Sequence, residues 1–165
     1  MVNSKTMQRT LALIIAMLVL PALLYMSGCS LPRNGLEFPP TTKLKQLNVV
    51  AEIGANQNTA TALDLVFVFD KTALPLLPKT GPDWFANKQA LLAGLASGVA
   101  VLSLQVPPAS KVIATPLPQA HEKAIAVYSY ANYLSAAGQA MGDLTPYPCV
   151  QITLGSTQIS YANCK

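Results

Sequence analysis

Histidine is almost missing from this chain: His121 is the only one in 165 residues. That excludes a histidine-rich metal centre, since a zinc site would have to be built from carboxylates alone. Its setting, Gln119-Ala120-His121-Glu122-Lys123, reads as a surface loop. Charge is scarce as well, with Asp, Glu, Lys and Arg making up 11% of the residues. The seven carboxylates are scattered, with no pair at a spacing suited to acid–base work. Asp64 and Asp70 share a strand face but sit three pleats apart, so both are expected to be solvated. There is no basic cluster of the kind nucleic acid requires, and no like-charged block that would make an acidic or polybasic tail. No nucleophile elbow, phosphate loop or nucleotide fingerprint occurs. These gaps point away from an enzyme, a metal or cofactor protein and a nucleic-acid binder.

What is present begins with a leader pattern. Lys5 and Arg9 form a short basic region, and Thr10 to Tyr25 is almost wholly apolar. That run suits the core of a secretory signal. A membrane-spanning helix needs about 20 apolar residues without a breaker, and Pro21 interrupts this one. Met26-Ser27-Gly28-Cys29 then matches the bacterial lipobox, in which small residues precede a cysteine that takes a diacylglyceryl group. The reading is a signal sequence over residues 1–28 and a chain that starts at a lipid-modified Cys29. Two or three acyl chains, palmitate among them, anchor a protein far more firmly than one. Ser30 in place of Asp favours the outer membrane, with the domain facing the periplasm. Removing Lys5 and Arg9 brings the basic residues close in number to the acidic ones.

Two cysteines remain, Cys149 and Cys164, an even pair suited to an oxidising compartment. They are equidistant from a point between Ser156 and Thr157, so a hairpin turning there sets them opposite each other. The same register pairs Leu154 with Ile159 and Ile152 with Tyr161, and puts Gln151, Thr153 and Ser160 on the cysteines' face. A non-hydrogen-bonded pair, with Cα atoms about 4.5 Å apart, is within disulfide range.

The remaining pattern is β-rich. Residues 29–43, with Pro32, Pro39 and Pro40, read as an extended tether, and 44–165 as one domain. From Leu44, Leu47, Val49, Ala51 and Ile53 alternate with Gln46, Asn48 and Glu52, a half-buried strand. Gly54–Ala60 is rich in turn formers. In the next strand, Leu63, Leu65, Phe67 and Phe69 oppose Asp64, Val66, Val68 and Asp70. Gly81-Pro82-Asp83 is a helix start; Trp84, Leu91, Leu92 and Leu95 follow at helical spacing, which predicts a helix over 82–97. Alternation returns at Leu102, Leu104 and Val106, then at Lys111–Pro116, Ala124–Ala131 and the cysteine hairpin. Six or seven short strands and one helix predict a mainly β, two-sheet sandwich with an inserted helix. Trp84 fits core packing better than an exposed anchor, and Tyr128, Tyr130 and Tyr133 fit packing better than an aromatic platform.

A lipobox, a tether, a strand, the turn Gly54-Ala55-Asn56-Gln57-Asn58, a strongly apolar second strand and a helix opening at Asp83-Trp84-Phe85 resemble TssJ. This is the small outer-membrane lipoprotein of the bacterial type VI secretion system. Ala124–Tyr133 as a late strand adds to the likeness. The resemblance implies a transthyretin-like β-sandwich and a scaffold role, binding the periplasmic part of the inner-membrane subunit TssM. It points to the first inter-strand turn, with Asn56, Gln57 and Asn58, as the contact, and these residues are expected to carry no special backbone angles. Two other readings stay open: a pilotin-like or other envelope assembly lipoprotein, and a binder of a small apolar ligand in an enclosed pocket between the sheets.

Overall fold

β1 (Gln46–Ala51), β4 (Lys111–Val112), β7 (Cys149–Leu154) and β8 (Ile159–Asn163) form one sheet, in the order β4-β1-β7-β8. β2 (Thr61–Val68), β3 (Val99–Val106), β5 (Ala126–Ala131) and β6 (Gly142–Asp143) form the other, in the order β3-β2-β5-β6. β1 and β7 run parallel, and every other strand pair is antiparallel. The computed structural model describes residues 40–112 and 116–164, all within one compact unit, Pro39–Lys165. The expected signal, the Cys29 lipid site and residues 29–39 of the tether lie outside the described residues. Among those described, no helix is long and apolar enough to cross a membrane.

The architecture is a β-sandwich with an inserted helix. Between the sheets lie Leu47, Val49 and Ala51 of β1, Leu63, Leu65 and Phe67 of β2, and Val150, Ile152 and Leu154 of β7, all buried. The helix, α1 (Gly81–Leu95), covers the outer face of the second sheet and runs into a short 3₁₀ turn, Ala96–Gly98. Thr80 starts it: its Oγ1 accepts from Asp83 N–H at 3.3 Å and donates to Asp83 Oδ2 at 2.6 Å, a reciprocal cap. A glycine at position 81 is required because a Cβ there would run into the backbone carbonyl of Ala131.

This third layer explains where simple alternation fails. β2 is covered on both sides, so Val66 and Val68 are as buried as Leu65 and Phe67. Asp64 is buried as well, 2% exposed, contrary to the expectation that it is solvated. Its Oδ2 accepts from Trp84 Nε1 at 2.7 Å and from Lys88 Nζ at 2.8 Å. Trp84 itself is fully buried and stacks on Tyr130, with centroids 4.8 Å apart and planes at 11°. Ile53, expected to point inward, is 91% exposed, because β1 ends at Ala51 and the chain turns at Gly54.

The hairpin β7–β8 has Leu154 opposite Ile159 and Ile152 opposite Tyr161. Cys149 and Cys164 are disulfide-bonded with Cα atoms 5.4 Å apart. Cys164 N–H donates to Cys149 O at 3.2 Å. The pair therefore has the wider, hydrogen-bonded spacing in place of the narrow one, and both accept a disulfide.

Candidate partner interface

The two ends of the sandwich differ in structure. At one end the chain enters: Thr42 N–H donates to Ala124 O at 2.7 Å and Lys45 N–H to Pro148 O at 2.8 Å, close to the disulfide that closes β7 and β8. β1 then runs away from this end, and the Gly54–Ala60 turn lies at the other.

That turn is a left-handed coil. Gly54 has φ 78°, and Asn56, Gln57 and Asn58 follow at φ 49°, 55° and 63°. Left-handed backbone costs a residue with a Cβ roughly 1–2 kcal/mol, so three such residues in a row need support. Asn56 supplies it. The expectation that these residues carry no special backbone angles is therefore corrected. The Asn56 side chain is buried; its Nδ2 donates to Asn132 O at 3.1 Å and its Oδ1 accepts from Leu134 N–H at 2.8 Å. Its backbone N–H donates to Gly155 O at 2.9 Å, and that of Gln57 to Ser156 O at 3.0 Å. One residue thereby ties the β1–β2 turn to the segment after β5 and to the β7–β8 hairpin. Tyr133 reinforces the same end, donating from its hydroxyl to Gly155 O at 2.7 Å; burial, with the nearby Glu52 charge, pushes its phenol up to about 12.

This hydrogen-bonded backbone carries exposed side chains. Gln57 and Asn58 are exposed. So are Ile53 and Leu134, at 91% and 60%, two of the three large apolar residues with the most exposure among those described. Ile53 precedes the turn, and Leu134 is the residue whose N–H Asn56 holds. Of the three sequence-predicted contact residues, Asn56 is a positioning group inside the end and only Gln57 and Asn58 face outward. Sequence reasoning missed Ile53 and Leu134. For Ile53 the available signal was a large aliphatic residue directly before Gly54-Ala55-Asn56, where the strand face ends; Leu134 carried no such signal.

The other expected features sit elsewhere. His121 lies on a 3₁₀ turn at the entry end, edge-on to Phe67 at 6.5 Å, with Nδ1 3.1 Å from Pro118 O. Among the described residues no group of His, Cys, Asp and Glu is arranged to hold a metal ion. Buried core side chains from both sheets lie between them. A cleft of about 480 Å³ opens on the outside at the entry end, between Phe69, Asp70, Lys71, Leu95, Gly98 and Ile125. Another, of about 360 Å³, runs along α1 past Leu76, Ala90, Leu91 and Gly94. Neither is the enclosed inter-sheet pocket that the ligand-binding reading requires.

No protein-family profile and no curated protein matches the sequence. Solved structures do match. The T6SS lipoprotein TssJ1 from Pseudomonas aeruginosa is similar with a TM-score of 0.54 and 17% identity, over 77% of this chain and 98% of that one. Lip from Serratia marcescens, described as a membrane-bound component of the type VI secretion system, gives 0.51 and 9% identity over 76% of this chain and 99% of that one. At such identities the likeness is one of fold, and the fold is TssJ-like.

Proposed function

We propose that the protein is a lipid-anchored scaffold of a type VI secretion membrane complex, and that it captures the periplasmic part of an inner-membrane partner such as TssM. In this reading residues 1–28 are removed on export, Cys29 carries the lipid, residues 29–43 are the tether, and the domain hangs from the outer membrane into the periplasm. It performs no chemistry of its own. The TssJ-like fold and the lipobox support the membrane complex.

The observation that carries the contact is the Asn56-locked turn, which presents Ile53, Gln57, Asn58 and Leu134 at the end opposite the one where the chain enters β1. A tether entering at one end leaves the other free to face away from the membrane. Exposed aliphatic residues on a rigid frame lose little entropy when covered, which is what a binding surface needs.

The test is co-purification of the full lipidated protein with the periplasmic domain of TssM from the same host. The reading expects a stable complex that survives gel filtration. A protein that fails to hold TssM, and whose deletion instead mislocalises an outer-membrane pore, is a pilotin.

A further inference from the structure

Among the described residues, four strands lie at sheet edges: β4 and β8 in the first sheet, β3 and β6 in the second. β4 and β6 are two residues long, and β8 is five residues long with its end bonded through Cys164. β3 differs from all of them. It has eight residues, Val99-Ala100-Val101-Leu102-Ser103-Leu104-Gln105-Val106, with neither charge nor proline. At about 3.3 Å per residue it presents roughly 26 Å of strand. Among the described residues its ladder partners all belong to β2, and no backbone group from elsewhere is hydrogen-bonded to it. Natural sheets guard such edges with lysine, proline, bulges or short strands; β3 carries no lysine or proline and is not short.

The side chains on the two faces define what would fit there. On the inner face, Leu63 and Leu65 of β2 are fully buried, whereas Leu104 and Leu102 opposite them are only half-buried although they pack against the same core. The core is therefore less completely covered along this flank than beneath β2. On the outer face, exposed Ser103 accepts from Lys88 Nζ at 3.0 Å, and the same ammonium donates to Asp64 at 2.8 Å. An ammonium has a third hydrogen. An acceptor beside Ser103 suits it, and a second cation there is repelled.

We propose that β3 is a docking edge, separate from the Asn56 end, that takes an extended segment of a partner protein as an added strand. The segment has apolar residues on the face that covers Leu102 and Leu104, and a carboxylate or other acceptor on the face beside Ser103. Main-chain hydrogen bonds supply affinity, and the Lys88 ammonium supplies register.

The test uses the full protein and two short acetylated peptides that alternate valine with threonine. One has a central glutamate on the threonine face and the other a lysine at the same place. Hydrogen exchange is read across β3. The glutamate peptide is expected to slow those β3 amides that face away from β2, and to bind about five- to tenfold more tightly than the lysine peptide. Ser103→Asp, an exposed substitution, is expected to reverse that preference. Unchanged β3 exchange with both peptides overturns the proposal, as does equal binding of the two. Protection of β3 without peptide that rises with protein concentration, together with a dimer in sedimentation, makes the occupant a second copy and also overturns it. Loss of TssM capture does not bear on this edge, so the two readings fail separately.

Discussion

The indole N–H of Trp84 donates to the carboxylate of Asp64 at 2.7 Å beneath α1, and Lys88, one helical turn further on, closes the same carboxylate oxygen at 2.8 Å. Two residues of the helix therefore meet one residue of the central strand. This fixes how α1 lies on the sheet, both along its axis and in rotation.

Removing Asp64 leaves the buried Trp84 indole N–H without its acceptor, whereas the Lys88 ammonium keeps Ser103 and solvent. Asp64→Ala is expected to cost roughly 1–3 kcal/mol, the range for leaving a buried donor without a partner. Asp64→Asn keeps an acceptor for Trp84 and should cost less. Urea unfolding followed by far-ultraviolet circular dichroism gives both values. A cost below about 1 kcal/mol for Asp64→Ala, the scale of an exposed pair, contradicts the buried arrangement.

The left-handed turn makes opposite predictions for adjacent residues. Asn56→Ala loses two buried side-chain hydrogen bonds and is expected to destabilise by about 2–4 kcal/mol. Gln57→Gly, at an exposed position with φ 55°, relieves left-handed strain against a glycine entropy cost and is expected to be neutral or stabilising by up to about 1 kcal/mol. Thermal unfolding of the two variants separates them. Equal effects would mean that the turn does not hold this conformation.

The disulfide closes a loop of sequence separation 15 around the β7–β8 hairpin. Cys149→Ser with Cys164→Ser is expected to cost about 3 kcal/mol in the chain-entropy model. Reductant should lower the unfolding midpoint of the wild type to that of the variant and leave the variant unchanged.

Stability is expected to fall at high pH. Burial is the largest cause that raises Tyr128, Tyr130, Tyr133 and Tyr161 above the usual phenol value, with Tyr133 at about 12. A phenol that holds its proton more tightly when folded contributes stability that is complete below the unfolded value near 10, and loses it as pH rises from there towards about 12. Denaturant midpoints measured between pH 8 and 12 should decline only above 10. Tyr133→Phe should flatten part of that decline while losing the bond to Gly155.

The sequence was most legible where a single period governs both faces. Alternation and the symmetric cysteine spacing place the β7–β8 register, and Gly81-Pro82-Asp83 marks the start of α1. It was less legible where a third layer intervenes. Alternation along β2 says nothing about whether its second face meets water or a helix, so Asp64 reads as solvated until α1 is laid over it. The run Leu65-Val66-Phe67-Val68-Phe69, apolar at every position, was the trace of two-sided burial. In the turn, glycine and asparagine announce a reversal, but composition does not say which asparagine enters the core. The choice between wide and narrow pairing of the cysteines depends on hydrogen-bond phase, which leaves no mark on residue types.

The proposed binding of a partner protein at the Asn56-locked end rests on its exposed aliphatic residues. Ile53→Asp and Leu134→Asp change residues that are 91% and 60% exposed, so neither should disturb the fold. The decisive measurement is the Kd for the periplasmic domain of TssM, by calorimetry, for wild type and the double variant, with the melting temperature of each recorded. The expected result is an unchanged melting temperature and a Kd weakened by at least about tenfold, the loss of roughly 1.4 kcal/mol or more that central apolar contacts carry. An unchanged Kd at unchanged stability would contradict it.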